Sequence, residues 1–267
     1  MMISGPDRRP INPGELRASV TGPDRLWTEI RVLESTGSTN ADAAEAARAG
    51  AAEGLVVTTE RQVAGRGRLD RSWETVDGAA IAVSVVLRPD VPAAAWVWLP
   101  LLTGAAVDAA AQELGVASSV KWPNDVLVEG RKLAGILLER VETPTGPAAV
   151  VGLGLNVTLD RHELPVPTAT SLLLEGATRV DRTDVLAVVL THLEQLYRAW
   201  VSAGGDAAAG LRDEVVKRCV TVGQQVRVHL PDGTDLDGLV ETIDEHGRLV
   251  VDGVAVSAGD VTHVRPA

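Results

Sequence analysis

Two lysines stand eleven positions apart, Lys121 in Lys-Trp-Pro-Asn-Asp (121–125) and Lys132 in Lys-Leu-Ala-Gly-Ile-Leu (132–137), in a chain with only one other, Lys217. Every remaining basic residue is arginine, so the chain meets its general need for positive charge with Arg and a lysine invites a specific reason. A lysine ammonium is a compact point charge suited to phosphate oxygens. Pro123 forces a turn that fixes the directions of Trp122 and Asp125, and Asp125 is a candidate to hold Mg²⁺ or to orient an incoming amine. The plainer reading of these five residues is a well-formed turn with a surface ion pair. In an extended strand Lys132 shares a face with Ala134 and Ile136. That is an unusual place for a charge unless a ligand carboxylate or phosphate lies there. Ala134 and Gly135 leave room for something to lie flat against the strand, whereas a strand-edge lysine that blunts pairing is the alternative.

A second basic element is Gly65-Arg66-Gly67-Arg68, flanked by Arg61 and Arg71. Its glycines let the backbone fold round a ligand and present N–H groups to an anion, and its arginines add planar forks for carboxylate or phosphate. An exposed, solvated turn would have the same composition. It is not a Walker loop, because no lysine here follows Gly and precedes Ser or Thr. Ser38-Thr39-Asn40 caps a helix on the simplest reading, and it also offers donors and acceptors to a small polar heterocycle. Gly152-Leu153-Gly154-Leu155-Asn156 fails as a dinucleotide fingerprint, lacking the third glycine and a following helix.

These residues need elements to position them. A strand is expected at 30–34, a helix from Asn40 to Arg48 with Ser38 or Thr39 at its cap, and a strand at Leu55–Thr59. Gln62–Ser72 reads as a polar loop and Ala79–Leu87 as a buried strand. A helical stretch runs from Pro92 to Leu114 with a break near Pro100. Short strands at Val120–Lys121 and Val126–Glu129 flank the Trp-Pro-Asn-Asp turn, followed by strands at Leu133–Arg140 and Ala148–Val157. Helices are expected at about 182–200 and 206–218. From Thr221 the texture becomes alternating, with Asp232-Gly233, His246-Gly247 and Asp252-Gly253 as hairpin turns, which reads as a small barrel of SH3-like type. The resulting organisation is a flexible arm at 1–25, a catalytic domain at 26–218 and an SH3-like domain at 219–267.

Composition narrows the function classes. The net charge of −11 removes the basic surface that draws a protein onto nucleic acid or anionic membranes. A single cysteine, Cys219, excludes an intrachain disulfide framework, and all five histidines lie at or beyond position 162. No apolar run approaches a membrane span and the N-terminus lacks a signal-like core, so a cytoplasmic protein without nucleic-acid or membrane partners is expected.

Taken in order, Ser38-Thr39-Asn40, Gln62 with Gly65-Arg66-Gly67-Arg68, Lys121-Trp122-Pro123-Asn124-Asp125, Lys132-Leu133-Ala134-Gly135-Ile136-Leu137, and Gly152, Gly154 and Asn156 resemble the biotin protein ligase family. The likeness runs over roughly 30–265 and is to the monofunctional type without a DNA-binding domain. It implies an α+β fold, a mixed central sheet flanked by helices with the SH3-like barrel behind it. It implies an enzyme that forms biotinyl-5'-AMP from biotin and MgATP, then passes biotin to a lysine of a biotin carboxyl carrier domain of an acyl-CoA carboxylase; a monomer or weak homodimer is expected. By the same resemblance Ser38, Thr39, Asn40 and Gln62 grip the ureido ring. Arg66, Gly67 and Arg68 fold over biotin and its adenylate, with Gly135 beneath. Lys132 lies against the biotin carboxylate and α-phosphate, and Lys121, Asn124 and Asp125 serve the phosphate and magnesium end. Trp73 offers an aromatic face to adenine, unless it is a plain core anchor, and Asn156 bonds the adenine edge. Leu69-Asp70 departs from the family's more basic loop and lowers its charge. The rival readings are a lipoate or octanoate ligase, which would not need the ureido set, and a non-catalytic biotin sensor, which would not need two phosphate-facing lysines.

Overall fold

The computed structural model describes residues 8–68, 71–74 and 76–264, so Leu69 and Asp70 lie outside the described residues. Seven strands build the main sheet: β1 (Glu29–Thr36), β2 (Leu55–Gln62), β3 (Ala80–Leu87), β4 (Ser119–Lys121), β5 (Asp125–Val128), β6 (Arg131–Val141) and β7 (Ala148–Asn156). Their order is β1-β2-β3-β7-β6-β5-β4. Only β1 and β2 pair in parallel, with the remaining neighbours antiparallel, which makes the sheet mixed as expected. All nine residues of β7 are buried, the mark of a central strand covered on both faces.

Helix α2 (Thr39–Arg48) covers one face, and α3 (Leu99–Glu113) with α4 (Arg182–Ser202) lies on the other. The helix on the first face is nearly all small: Ala43, Ala44, Ala46 and Ala47 meet Val57, Val86, Val141 and Val150 of the sheet. Side-chain alternation then decides where a cavity can form. On the α2 face the paired residues run in rows, Val86 with Val150, then Ser84, Gly152 and Leu137, then Ala82, Gly154 and Gly135. The valine end is where α2 packs. Beyond the start of α2 the rows shrink to alanine and glycine, and that part of the face has no helix over it.

Ala93–Trp98 forms a 3-10 helix and Pro100 sits in the first turn of α3, where its missing N–H costs nothing. The stretch Ala93–Glu113 is long and apolar enough to cross a membrane, but 67% of its most apolar window is buried in the core. Residues 8–25 correct the expected arm. Asn12 caps helix α1 (Pro13–Val20), its side chain accepting from the N–H of Gly14 and Glu15. Ile11, Leu16 and Val20 are buried and α1 packs on α4. So few apolar residues anchor this turn-rich segment that composition alone conceals the helix.

After α5 (Leu211–Arg218) come β8 (Gln225–His229), β9 (Asp235–Ile243), β10 (Leu249–Val251), β11 (Val254–Val256) and β12 (Asp260–His263). They form an antiparallel sheet in the order β11-β10-β9-β8-β12, the small SH3-like module that the alternation implies. Strand β12 was not foreseen, because Asp-Val-Thr-His has only one strongly apolar residue. The module shares one core with the main sheet. It also grips the Trp122 turn, where the Trp122 indole donates to Gly247 O at 3.0 Å and the Trp122 N–H to Thr221 Oγ1 at 3.2 Å, and it holds the 3-10 helix through the Trp98 indole, which donates to Glu245 O at 3.1 Å.

Candidate active site

The uncovered part of the α2 face is a cavity. Its floor is Ala82, Gly135, Gly152 and Gly154, its end wall is Ser38, Thr39 and Asn40 at the start of α2, and its roof is the loop carrying Arg66, Gly67, Arg68 and Trp73. Glycine is required at two floor positions by close approach rather than by backbone conformation. A Cβ on Gly152 would lie 2.1 Å from Asn40 Oδ1, and one on Gly154 would lie 2.2 Å from the Trp73 ring. The open space is about 120 Å³, small beside the roughly 300–1,000 Å³ of most ligand sites. The Trp73 indole explains the difference, since it lies inside the cavity against Gly154 and Gly135 with a buried N–H that has no partner. Trp73 is therefore a wall of the site and not a remote core anchor.

At the α2 end a chain of polar groups is arranged with little freedom. Ser38 occupies the cap position, yet its side chain makes no capping bond; the Thr39 N–H instead donates to Gln62 Oε1 at 2.9 Å. Ser84, fully buried, donates to Asn40 Oδ1 at 2.6 Å and lies 2.8 Å from Thr39 Oγ1. One hydroxyl has one proton, and Asn40 Oδ1 can only accept, so the Ser84 proton goes to Asn40. The Asn40 Nδ2 donates in turn to Glu139 Oε2 at 2.7 Å. Gln62 is fixed by its oxygen, which leaves its NH₂ free to donate.

At the other end Lys132 Nζ stands 2.7 Å from Asp125 Oδ1 and 5.7 Å from the Trp73 ring centroid. Asp125 Oδ1 is buried, and the Lys132 ammonium is its partner. The expected face of Lys132 is corrected here. Val126 pairs with Ala134 while Leu127 pairs with Lys132, so Leu133 is an extra residue in β6. Such a bulge reverses the alternation. Lys132 therefore joins Gly135 and Leu137 on the cavity face, and Ile136 faces α3, where it touches Gly104. The Lys132 backbone is held on its outer side, its N–H donating to Thr168 O and its carbonyl accepting from Thr170 N–H.

Arg68 Nη1 donates to Asn124 Oδ1 at 3.1 Å, and Asn124 is fixed by its Nδ2 donating to Ile136 O at 2.8 Å. Burial holds the Arg68 pKa below the usual guanidinium value, against the opposing pull of Asp125 and Asp260. Asp260, from the C-terminal sheet, lines the cavity and accepts from Arg71. Burial pushes its carboxyl up, and the Arg71 hydrogen bond and charge, with Lys121 and Arg68, outweigh that and hold it below the ordinary carboxylate value.

Of the residues singled out in the sequence, Ser38, Thr39, Asn40, Gln62, Arg66, Gly67, Arg68, Trp73, Asn124, Asp125, Lys132 and Gly135 all line this one cavity. Lys121 and Asn156 do not. Lys121 stands beside Asp260 and His263 of the C-terminal module. Asn156 is buried and donates from Nδ2 to Thr170 O at 2.9 Å, which steadies the segment that holds the Lys132 backbone. Sequence reasoning missed Ser84, Glu139 and Asp260, and it marked Arg71 only as a flank of the basic loop. Ser84 carried a signal, as the one polar residue within Ala80–Leu87; Asp260 carried none, because only the fold brings it near. No group of three or more metal-ligating side chains exists among the described residues.

Residues 31–156 match the Biotin/lipoate A/B protein ligase family, and residues 221–264 match the Biotin protein ligase C terminal domain. The chain is 42% identical to a biotin–[acetyl-CoA-carboxylase] ligase of Mycobacterium tuberculosis, over 97% of both chains. It is 32% identical to the bifunctional ligase/repressor BirA of Bacillus subtilis, over 89% of this chain and 72% of that one. The fold is shared with a biotin protein ligase from Aquifex aeolicus in complex with biotin and ATP, with a TM-score of 0.76, 24% identity, and coverage of 90% of this chain and all of that one.

Proposed function

The chain belongs to the biotin protein ligase family, and from that premise we propose which of its residues carry each part of the reaction. The enzyme joins biotin to ATP as biotinyl-5'-AMP and transfers biotin to a lysine of acetyl-CoA carboxylase. The observation that carries the assignment is that the cavity has two chemically different ends. One end, with Gln62, Thr39 and Ser38, is rich in neutral donors and acceptors and suits the ureido ring. The other, with Lys132, Arg68 and Asp125, is charged and suits a carboxylate meeting a phosphate.

Biotin lies along Gly152, Leu137 and Gly135 with its carboxylate at Lys132. In the first step that carboxylate oxygen attacks the α-phosphorus of ATP and pyrophosphate leaves. Lys132 and Arg68 neutralise the charge that builds on the phosphoryl oxygens, and they act by position and charge alone. Asp125 is the carboxylate that would hold Mg²⁺. Its buried Oδ1, which already faces a cation in Lys132, would fit that role once Lys132 turns to the phosphate, and Mg²⁺ that keeps its waters and ATP oxygens needs no more than one or two carboxylates. Bound there, the metal supplies further neutralisation of the polyphosphate. Trp73 forms the apolar wall beside the nucleotide. Asn156 acts from behind, through Thr170, on the Lys132 backbone.

In the second step an acceptor amine attacks the mixed anhydride and AMP leaves. Arg68, Asn124 and Leu137 line both the cavity and a wider groove that runs between Val97, Pro123 and the C-terminal residues His246 and Arg248. That groove supports a path for the acceptor lysine. The roof loop keeps water from the anhydride while it waits.

Lys132→Ala tests the assignment. Pyrophosphate exchange into ATP in the presence of biotin should fall about a hundredfold or more, with biotin binding by calorimetry weakened far less. An unchanged exchange rate would remove Lys132 from the first step.

A further inference from the structure

Near the start of α2 the roof loop is tied to the sheet by a contact whose acceptor, Glu139, lies outside the lining of the cavity. Glu139 follows Gly135 and Leu137 on the same face of β6, at the register of Val150. Its Oε2 accepts from Asn40 Nδ2 at 2.7 Å and from Arg66 Nη2 at 3.0 Å. Asn40 belongs to α2, Arg66 to the roof loop and Glu139 to the sheet, so one carboxylate oxygen joins three elements. The Asn40 amide is committed at both ends, its oxygen to Ser84 and its nitrogen to Glu139, and it packs against Gly152 with no space to turn. Asn40 is therefore held in one orientation, with one N–H and one lone pair beyond these two bonds.

From this geometry we infer that Glu139 is a positioning residue for the reaction, which rests on the ligase reading above: it holds Arg66, and with it the roof loop, over the ureido end of bound biotin. The physical argument is one of contrast. The Asn40 anchor is buried and rigid, whereas the Arg66 side chain is about half exposed (49%) and would otherwise be free in water. A charged acceptor fixed by a buried donor selects one position of that long side chain, and a hydrogen bond to a charged group is worth more than one between neutral partners. Loss of the carboxylate charge frees the loop while the floor keeps its shape. The consequence falls on entry and escape at the ureido end more than on charge stabilisation at Lys132.

The test is Glu139→Gln, which keeps volume and one acceptor, compared with Arg66→Ala and with the double variant. Biotin KM and the rate at which biotinyl-adenylate leaves the enzyme should each rise about tenfold in E139Q, as expected for losing one charge-assisted hydrogen bond. The fall in kcat for pyrophosphate exchange should be smaller. Arg66→Ala, on the exposed loop, should show the same pattern, and the double variant should be no worse than Arg66→Ala alone. Full additivity of the two effects would overturn the inference, and so would equal losses in kcat and KM in a variant that melts normally. Should E139Q melt early, the same comparison made on Arg66→Gln with Glu139 intact decides the question from the loop side. Absence of biotin-dependent exchange in the unaltered protein would instead overturn the ligase reading.

Discussion

Gly152 and Gly154 separate the two ends of the site at the scale of single atoms. Alanine at 152 drives its Cβ into Asn40 Oδ1, and alanine at 154 drives it into the Trp73 ring. Both approaches are far below contact distance, so the neighbour has to move. Gly152→Ala should therefore weaken biotin binding about tenfold or more with a smaller effect on ATP, and Gly154→Ala should do the reverse; calorimetric titration of each variant with each substrate checks this. Equal losses for both substrates in both variants would mean that the site has no such division. Much of this residue-level pattern was legible in the sequence. The two rare lysines, the alternating Gly-Arg loop and the Ser-Thr-Asn triplet are unusual enough in composition to stand out, and most of them meet in one cavity. Glu139 and Asp260 were not legible, because Glu and Asp are common surface residues and only pairing register or tertiary approach marks these two.

At the scale of elements, the decisive feature is how a partly covered sheet face becomes a site. Helix α2 is short, ten residues, and its alanines bring it close to the valine end of β3 and β7. The glycine end is left for ligand, and the roof loop supplies what the helix does not. The periods of the sequence were enough to place most strands and helices. They were not enough for the Leu133 bulge, since one inserted residue leaves the hydrophobic pattern almost unchanged while turning Lys132 to the other face. They also missed α1, which is too short for a clear period. The Trp122 turn gives this scale its prediction. Thr221 is fully buried and accepts from the Trp122 N–H. Thr221→Val keeps the shape and leaves that N–H without a partner, which should cost about 1–3 kcal/mol in denaturant unfolding. Because Asn124 and Asp125 follow directly, kcat should fall as well. A variant of unchanged stability and activity would mean that the C-terminal module does not hold the turn.

For the molecule as a whole, the C-terminal module is part of the catalytic unit by structure. It contributes Asp260 to the cavity, shares the core and flanks Lys121. His263 lies in this junction, 3.3 Å from Thr221 Oγ1, and burial, with Lys121 nearby, lowers its pKa. The unfolded chain then binds a proton more readily than the folded one below about pH 6.5. This group leaves stability intact above that value, and stability is lost as the pH falls through the lower folded pKa. Thermal melts should drop more between about pH 7.5 and 5.5 for the unaltered protein than for His263→Gln; identical slopes would show that His263 does not titrate in the junction. The alternating texture after Thr221 made the module legible, whereas its role in the cavity depends on Asp260 and was not. The central claim, that this cavity activates biotin with ATP, is tested most directly by Mg²⁺-dependent exchange of pyrophosphate into ATP with biotin, lipoate or octanoate as the acid. Exchange with biotin alone is the predicted result, and exchange with lipoate or octanoate in its place, or with none of the three, would contradict it.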